Sequence, residues 1–186
     1  MGPDSIIMEL SYKVCFIGGP KTGKTTFLLR HSTGEFRQES IPTKGASVSS
    51  LSFQTTEGKY NLKIWDIGGQ PELEGLGEGY YIQADAAVAF YDKDNVVRTN
   101  DLVTNFKRIN PGVPIINVWN KCDQPEEAHF VKVNLRRNYP LIRQGNRLTY
   151  QVSALSNYNF EKPFLEILRM LTKKPELCFS DCLTSI

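Results

Sequence analysis

The sequence predicts one α/β domain, a mostly parallel six-stranded sheet with helices on both faces, and three observations carry that expectation. Short apolar runs alternate with amphipathic stretches along the whole chain. Two of those runs end in polar loops, GGPKTGKT at 18–25 and NKCD at 120–123, at the carboxyl ends where doubly wound sheets bind ligands. The composition is that of an ordinary globular domain: 186 residues, 40% hydrophobic and 23% charged.

Taken in order, YKVCFIG at 12–18 is a buried strand and TTFLLR opens a helix over 24–32. Strands follow over 46–54 and 60–66, the second alternating as YNLKIWD, then a helix over 72–82. AAVAFYD makes a strand over 86–92, followed by a helix over 99–109 and the strand VPIINVW over 113–119. An irregular helical region over 127–144, a strand over 148–152 and a helix over 160–172 complete the order. That last helix carries Phe160, Phe164, Ile167, Leu168 and Leu171 at helical spacing, a core face. With no repeat or linker, residues 10–177 read as the domain, 1–9 as a flexible segment and 178–186 as a tail.

The loop after the first strand fits G-x-x-x-x-G-K-[ST]. In that pattern backbone amides cradle phosphates, a lysine reaches the β- and γ-phosphates and a hydroxyl binds Mg²⁺. Gly19, Pro20, Lys21, Thr22, Gly23, Lys24, Thr25 and Thr26 form it, and the helix that follows presents its N-terminal dipole to the anion. NKCD supplies the base. The Asp123 carboxylate matches the two donors of guanine, which adenine lacks; Asn120 can donate to N7 and tie loops together, and the stem of Lys121 can cover the ring. Asp66, Gly69 and Gln70 follow the YNLKIWD strand as D-x-x-G-Q. They read as a carboxylate holding Mg²⁺ through water, an amide for a γ-phosphate oxygen and a side chain orienting the attacking water. Thr43, in the stretch RQESIPTKG, is the second hydroxyl for Mg²⁺. Phe36 can pack against the base, and Ser153, Ala154 and Leu155 bring an amide to guanine O6. Gln70, Lys24 and Thr43 are the candidate catalytic residues, GTP or GDP with Mg²⁺ the expected ligands.

The net charge of +2 does not announce a nucleic-acid binder, and Lys132, Arg136, Arg137, Arg143 and Arg147 read as a solvated face. Four cysteines, at 15, 122, 178 and 182, show no disulfide framework, which implies a reducing compartment. No signal peptide, lipid motif or membrane-spanning run is expected, so no membrane anchor.

These motifs make the chain resemble the Ras superfamily of small GTPases over roughly 10–177, which implies the P-loop GTPase fold. Within it the stretches TGEF at 33–36, GYYIQA at 79–84 and SNYNFEKPF at 156–164 resemble the Ran family. That resemblance implies a GTP-hydrolysing switch in nucleocytoplasmic transport, found in nucleus and cytoplasm. The implied partners are an exchange factor, a GTPase-activating protein and importin- or exportin-type receptors. A vesicle-traffic switch of the Rab kind and a non-hydrolysing GTP-binding scaffold are the alternatives.

The chain departs from the Ran pattern at Pro20 and Lys21, which stand for glycines, and at Gly68, which stands for alanine and should loosen the second switch. Ser40, Glu72, Leu73 and Leu155 also differ. Ser40 occupies the place where a GTPase with a built-in finger carries arginine, and Arg37 lies three residues further back. Hydrolysis is therefore expected to be slow without a partner.

Overall fold

Alternation sorts the side chains of the strands onto two faces, and each face collects its own helices. The computed structural model describes residues 10–37, 41–70, 77–124 and 149–180. The strands are β1 (Leu10–Gly18), β2 (Ala46–Thr55), β3 (Gly58–Ile67), β4 (Ala86–Tyr91), β5 (Ile115–Trp119) and β6 (Thr149–Gln151). The helices are α1 (Lys24–Thr33), α2 (Glu78–Tyr81), α3 (Val96–Ile109) and α4 (Lys162–Thr172).

The strand order is β2-β3-β1-β4-β5-β6. Only β2 runs antiparallel, paired to β3 through a short hairpin in register Ala46 with Ile67 and Thr55 with Gly58; the other neighbours are parallel. Parallel neighbours need crossovers, and these place helices on both faces.

Val14 and Phe16 of β1 pack with Phe90, Val118, Phe27 of α1 and Phe164 and Ile167 of α4. Their β1 neighbours Cys15 and Ile17 point the other way, toward Tyr91, Trp119, Tyr81 of α2 and Val103 and Phe106 of α3. Phe16, Phe27, Phe90 and Phe164 are completely buried, with Phe16 and Phe90 ring centres 4.9 Å apart. Each such side chain is worth about 1.5–3 kcal/mol of burial, so the aromatic layer between sheet and α1/α4 is the main anchor for the phosphate loop that enters α1.

Several expected bounds shift. β2 and β3 form a longer hairpin than 46–54 and 60–66, and α3 begins at Val96 rather than 99. Pro114 keeps β5 from starting at 113, and α4 begins at Lys162 with Pro163 in its first turn, the place a proline fits a helix. Phe160 precedes the helix and is half-buried, stacked on His31 at 4.4 Å. Past α4 the chain returns to the hairpin, where Leu177 and Phe179 are buried and Phe179 bridges Thr55. Of the helix expected over 72–82, only 77–82 is described, and there the helix is Glu78–Tyr81.

Ser40, Glu72, Leu73, the region 127–144, the basic residues between 132 and 147, Cys182 and the segment 1–9 lie outside the described residues. Among the described residues Cys15, Cys122 and Cys178 form no disulfide. Among the described residues no helix is long and apolar enough to cross a membrane.

Candidate functional site

Four loops leave the carboxyl ends of β1, β3, β5 and β6 and meet on one side of the sheet. The first, 19–23, turns from β1 into α1. Lys24, the first residue of α1, is buried beneath it and donates from Nζ to the carbonyls of Gly18 at 2.9 Å and Gly19 at 3.1 Å. Burial pulls its ammonium down to about 8, against the raising pull of Asp66 and Asp92. A cation so desolvated is matched to an anion, and a phosphate at the amides of this loop supplies one.

Thr22 is fully buried and turns inward, its hydroxyl donating to the Gly19 carbonyl at 2.9 Å, so only its backbone remains to face a ligand. Lys21 is exposed, with φ of 60°. It lines both the phosphate-side cavity, with Pro20, and the larger cavity beside it.

Thr25, Thr43 and Asp66 come together as expected. Thr25 Oγ1 donates to Asp66 Oδ2 at 2.6 Å and lies 3.0 Å from Thr43 Oγ1, while Thr43 reaches the same carboxylate oxygen at 3.4 Å. Asp66 is fully buried, and its Oδ1 has no hydrogen-bond partner among the described residues. Burial raises its carboxyl above the usual range, opposed by the Thr25 hydrogen bond, the Lys24 charge and the Thr43 hydrogen bond. Two hydroxyls and one carboxylate fit a hard cation that keeps most of its shell for water and phosphate.

Gly69 and Gln70 line the cavity above these oxygens, together with Thr25 and Thr43. Gly69 lies so close to the phosphate loop that a Cβ there would sit 2.1 Å from the Gly18 carbonyl oxygen. Only glycine lets the two segments touch. Gly68, expected to loosen this segment, donates its amide to the Gly45 carbonyl at 2.8 Å and so ties it to the strand that follows Thr43.

The base side is a cavity of about 640 Å³ lined by Gly23, Thr26, Phe36, Asn120, Lys121 and Asp123, with Ala154 and Leu155. Asn120 is buried and donates from Nδ2 to the Thr22 carbonyl at 2.9 Å, joining base loop to phosphate loop; its Oδ1 has no partner among the described residues. Ser153 does not line the cavity. Its hydroxyl donates to Asp123 Oδ1 at 2.5 Å, so it aims the carboxylate. The Lys121 ammonium, for which the motif sets no expectation, donates from Nζ to Asp92 Oδ2 at 2.7 Å.

The family described as Ras of Complex, Roc, domain of DAPkinase matches residues 13–123, more than half of the chain. The chain belongs to this Ras-like GTPase family. The matched span runs from β1 through the phosphate loop, Thr43 and the Asp66–Gln70 segment to NKCD, so every motif of this Roc-type GTP-binding domain but the 153–155 loop falls inside it. Ras-like GTPases bind GTP and GDP, typically with Mg²⁺.

Sequence reasoning missed Asp92, Asn95, Arg98 and Thr99. Thr99 is buried and accepts from the Gly19 amide at 3.0 Å while donating to the Phe90 carbonyl at 3.0 Å. Arg98 Nε donates to the Gly69 carbonyl at 3.3 Å. The available signal was position: Asp92 closes the fourth strand run at the carboxyl edge, where ligands bind. Arg37, which also lines the base-side cavity, carried no such signal.

Proposed function

We propose that the chain hydrolyses GTP as a slow two-state switch, and the convergence of Thr25, Thr43 and Asp66 beside Gly69 and Gln70 carries this reading. Thr43 precedes β2 and Gly69 follows β3, so the two strands of one hairpin deliver both candidate switch segments to the phosphate loop. A γ-phosphate gives Thr43 and Gly69 a reason to stay. Its loss removes that reason.

In this reading Lys24 and the amides of 19–24 neutralise charge on the phosphates, and Gln70 orients the attacking water. Thr25 and Thr43, with Asp66 through water, would hold Mg²⁺, which would supply positive charge to the phosphates. No arginine of the described residues lines the cavity around Gln70, so the missing charge comes from an activating protein. An exchange factor reloads the switch.

Within the Ras superfamily we place the chain near the Ran-type transport branch, with importin- or exportin-type receptors as partners and nucleus and cytoplasm as its location. The supporting observations are the stretches TGEF, GYYIQA and SNYNFEKPF. The first and last meet in space: Arg30 donates to the Asn157 side chain at 2.9 Å and to the Gly34 carbonyl. Affinity capture on the GTP-loaded Gln70→Leu protein checks the branch; transport receptors are expected in the eluate, and vesicle-coat or tethering proteins instead would assign it elsewhere.

Single-turnover release of phosphate from preloaded GTP checks the switch. The expected rate without a partner is on the order of 10⁻⁴ per second. No release over many hours, with or without cell extract, would make the chain a scaffold. Turnover at about one per second would show that it needs no help in trans.

A further inference from the structure

We propose that Asp92 is a positioning residue for nucleotide binding: it sets Lys121 of the base loop directly and the phosphate loop through Asn95, so that the two ends of the nucleotide site are held by one carboxylate. This rests on the guanine-nucleotide reading above and adds to it a residue outside the recognised motifs.

Asp92 follows β4 and is 1% exposed. Burying a carboxylate is costly unless its oxygens find partners, and both oxygens of this one do. Oδ2 accepts from Lys121 Nζ at 2.7 Å, and Oδ1 accepts from Asn95 Nδ2 at 2.7 Å. The Asn95 amide also donates to the Asp92 carbonyl at 3.3 Å, closing a tight turn into α3.

Asn95 in turn abuts the phosphate loop. A Cβ on Gly19 would meet Asn95 Oδ1 at 2.4 Å, and both Cβ and Cγ of Asn95 at 2.8 Å. One turn later Thr99 caps the Gly19 amide, and Arg98 holds Gly69. The turn 92–99 is thus wedged between the loops for base, phosphate and γ-phosphate sensing.

Lys121 shows why the carboxylate matters. It lies in the left-handed region at φ of 62°, a conformation that costs a residue with a Cβ, and its ammonium is carried back across the site to Asp92. With that end tethered, the stem has one path along the cavity wall instead of many, and the ordering is done before the base arrives. Without Asp92 the ammonium is free to swing into water or onto the phosphates.

The test is a double-mutant cycle read by release of a fluorescent GDP. Asp92→Asn keeps shape and one acceptor but removes the charge. It is expected to speed release about tenfold, the equivalent of 1.4 kcal/mol. In a Lys121→Ala background the same substitution should add little, because the acceptor it retains still serves Asn95 and the ammonium that the lost charge held is gone. Asn95→Ala should speed release in both backgrounds, since its route is the phosphate loop. The melting temperature of nucleotide-free protein separates a fold defect from a positioning defect, and Asp92→Asn should lower it no more than Lys121→Ala does.

Release at the wild-type rate from Asp92→Asn, or equal acceleration in both backgrounds, would overturn the proposal. Failure of the wild-type protein to hold GDP would instead overturn the guanine-nucleotide reading beneath it.

Discussion

Burial acts on Lys24 and Asp66 in the same way with opposite consequences: it strips water from both, pulling the ammonium down to about 8 and the carboxyl up. A polyphosphate and a divalent cation, the ligands proposed for this site, would reverse both penalties at once. In the proposed reading the choice of base falls to Asp123, whose carboxylate accepts a hydrogen bond from Ser153 at 2.5 Å. Asp123→Asn, which offers a carbonyl and an amine where guanine needs two acceptors, should shift preference from guanine toward xanthine nucleotides, as competition binding with GTP and XTP will read. His31 has no role at the site but sets an acid limit. Burial among Phe53, Phe160 and Phe164 lowers its pKa to about 4, partly offset by a backbone hydrogen bond at Phe160. The folded state therefore prefers neutral His31, while the unfolded chain takes a proton near 6.5, so stability falls as pH drops from about 6.5 to about 4, by up to roughly 3 kcal/mol. Urea melts of wild type and His31→Gln across that window check this; an unchanged pH slope in the variant would be the contrary result.

At the scale of elements, strands were the most legible part of the sequence because their chemistry is local. Val14 and Phe16 against Cys15 and Ile17 is a pattern that needs no partner to be read. Element starts that depend on distant contacts were not legible. α3 begins at Val96 rather than 99: the Thr99 amide donates to the Asn95 carbonyl at 2.9 Å, the first bond of the helix, while the Asn95 side chain goes to Asp92 instead of capping it. The motifs named most of the residues that meet around the two cavities, but not the inward turn of Thr22 or the support from Ser153 and Asp92, since supporting side chains carry no motif. The hairpin of β2 and β3 makes a prediction of its own. Gly69→Ala forces a Cβ into the Gly18 carbonyl, and backbone must yield; a loss of about 1–3 kcal/mol in unfolding free energy is expected. In the GDP form Thr43 should leave Thr25 and Asp66, which a GDP-bound structure with Thr43 still 3.0 Å from Thr25 would contradict.

For the whole molecule, the order β2-β3-β1-β4-β5-β6 puts β1 between strands that carry the switch hairpin and strands that carry the base loops. The phosphate loop after β1 is therefore the place where both ends of a nucleotide can be felt. The aromatic layer under α1 and α4 holds that loop still, and Phe179 stacked on Phe53 at 5.3 Å ties the chain's return to the far end of the hairpin. Phe27→Ala, in the middle of that layer, should cost about 3–5 kcal/mol and weaken GDP binding with it, readable as a lowered melting temperature and a faster release. The most direct test of the account is nucleotide choice by the wild-type protein with Mg²⁺ present. Fluorescent GDP bound to the protein should be displaced by GTP at concentrations lower than those of ATP by roughly 10⁴-fold, the discrimination a site of buried hydrogen-bonding groups achieves. Displacement by ATP and GTP at equal concentrations would contradict it.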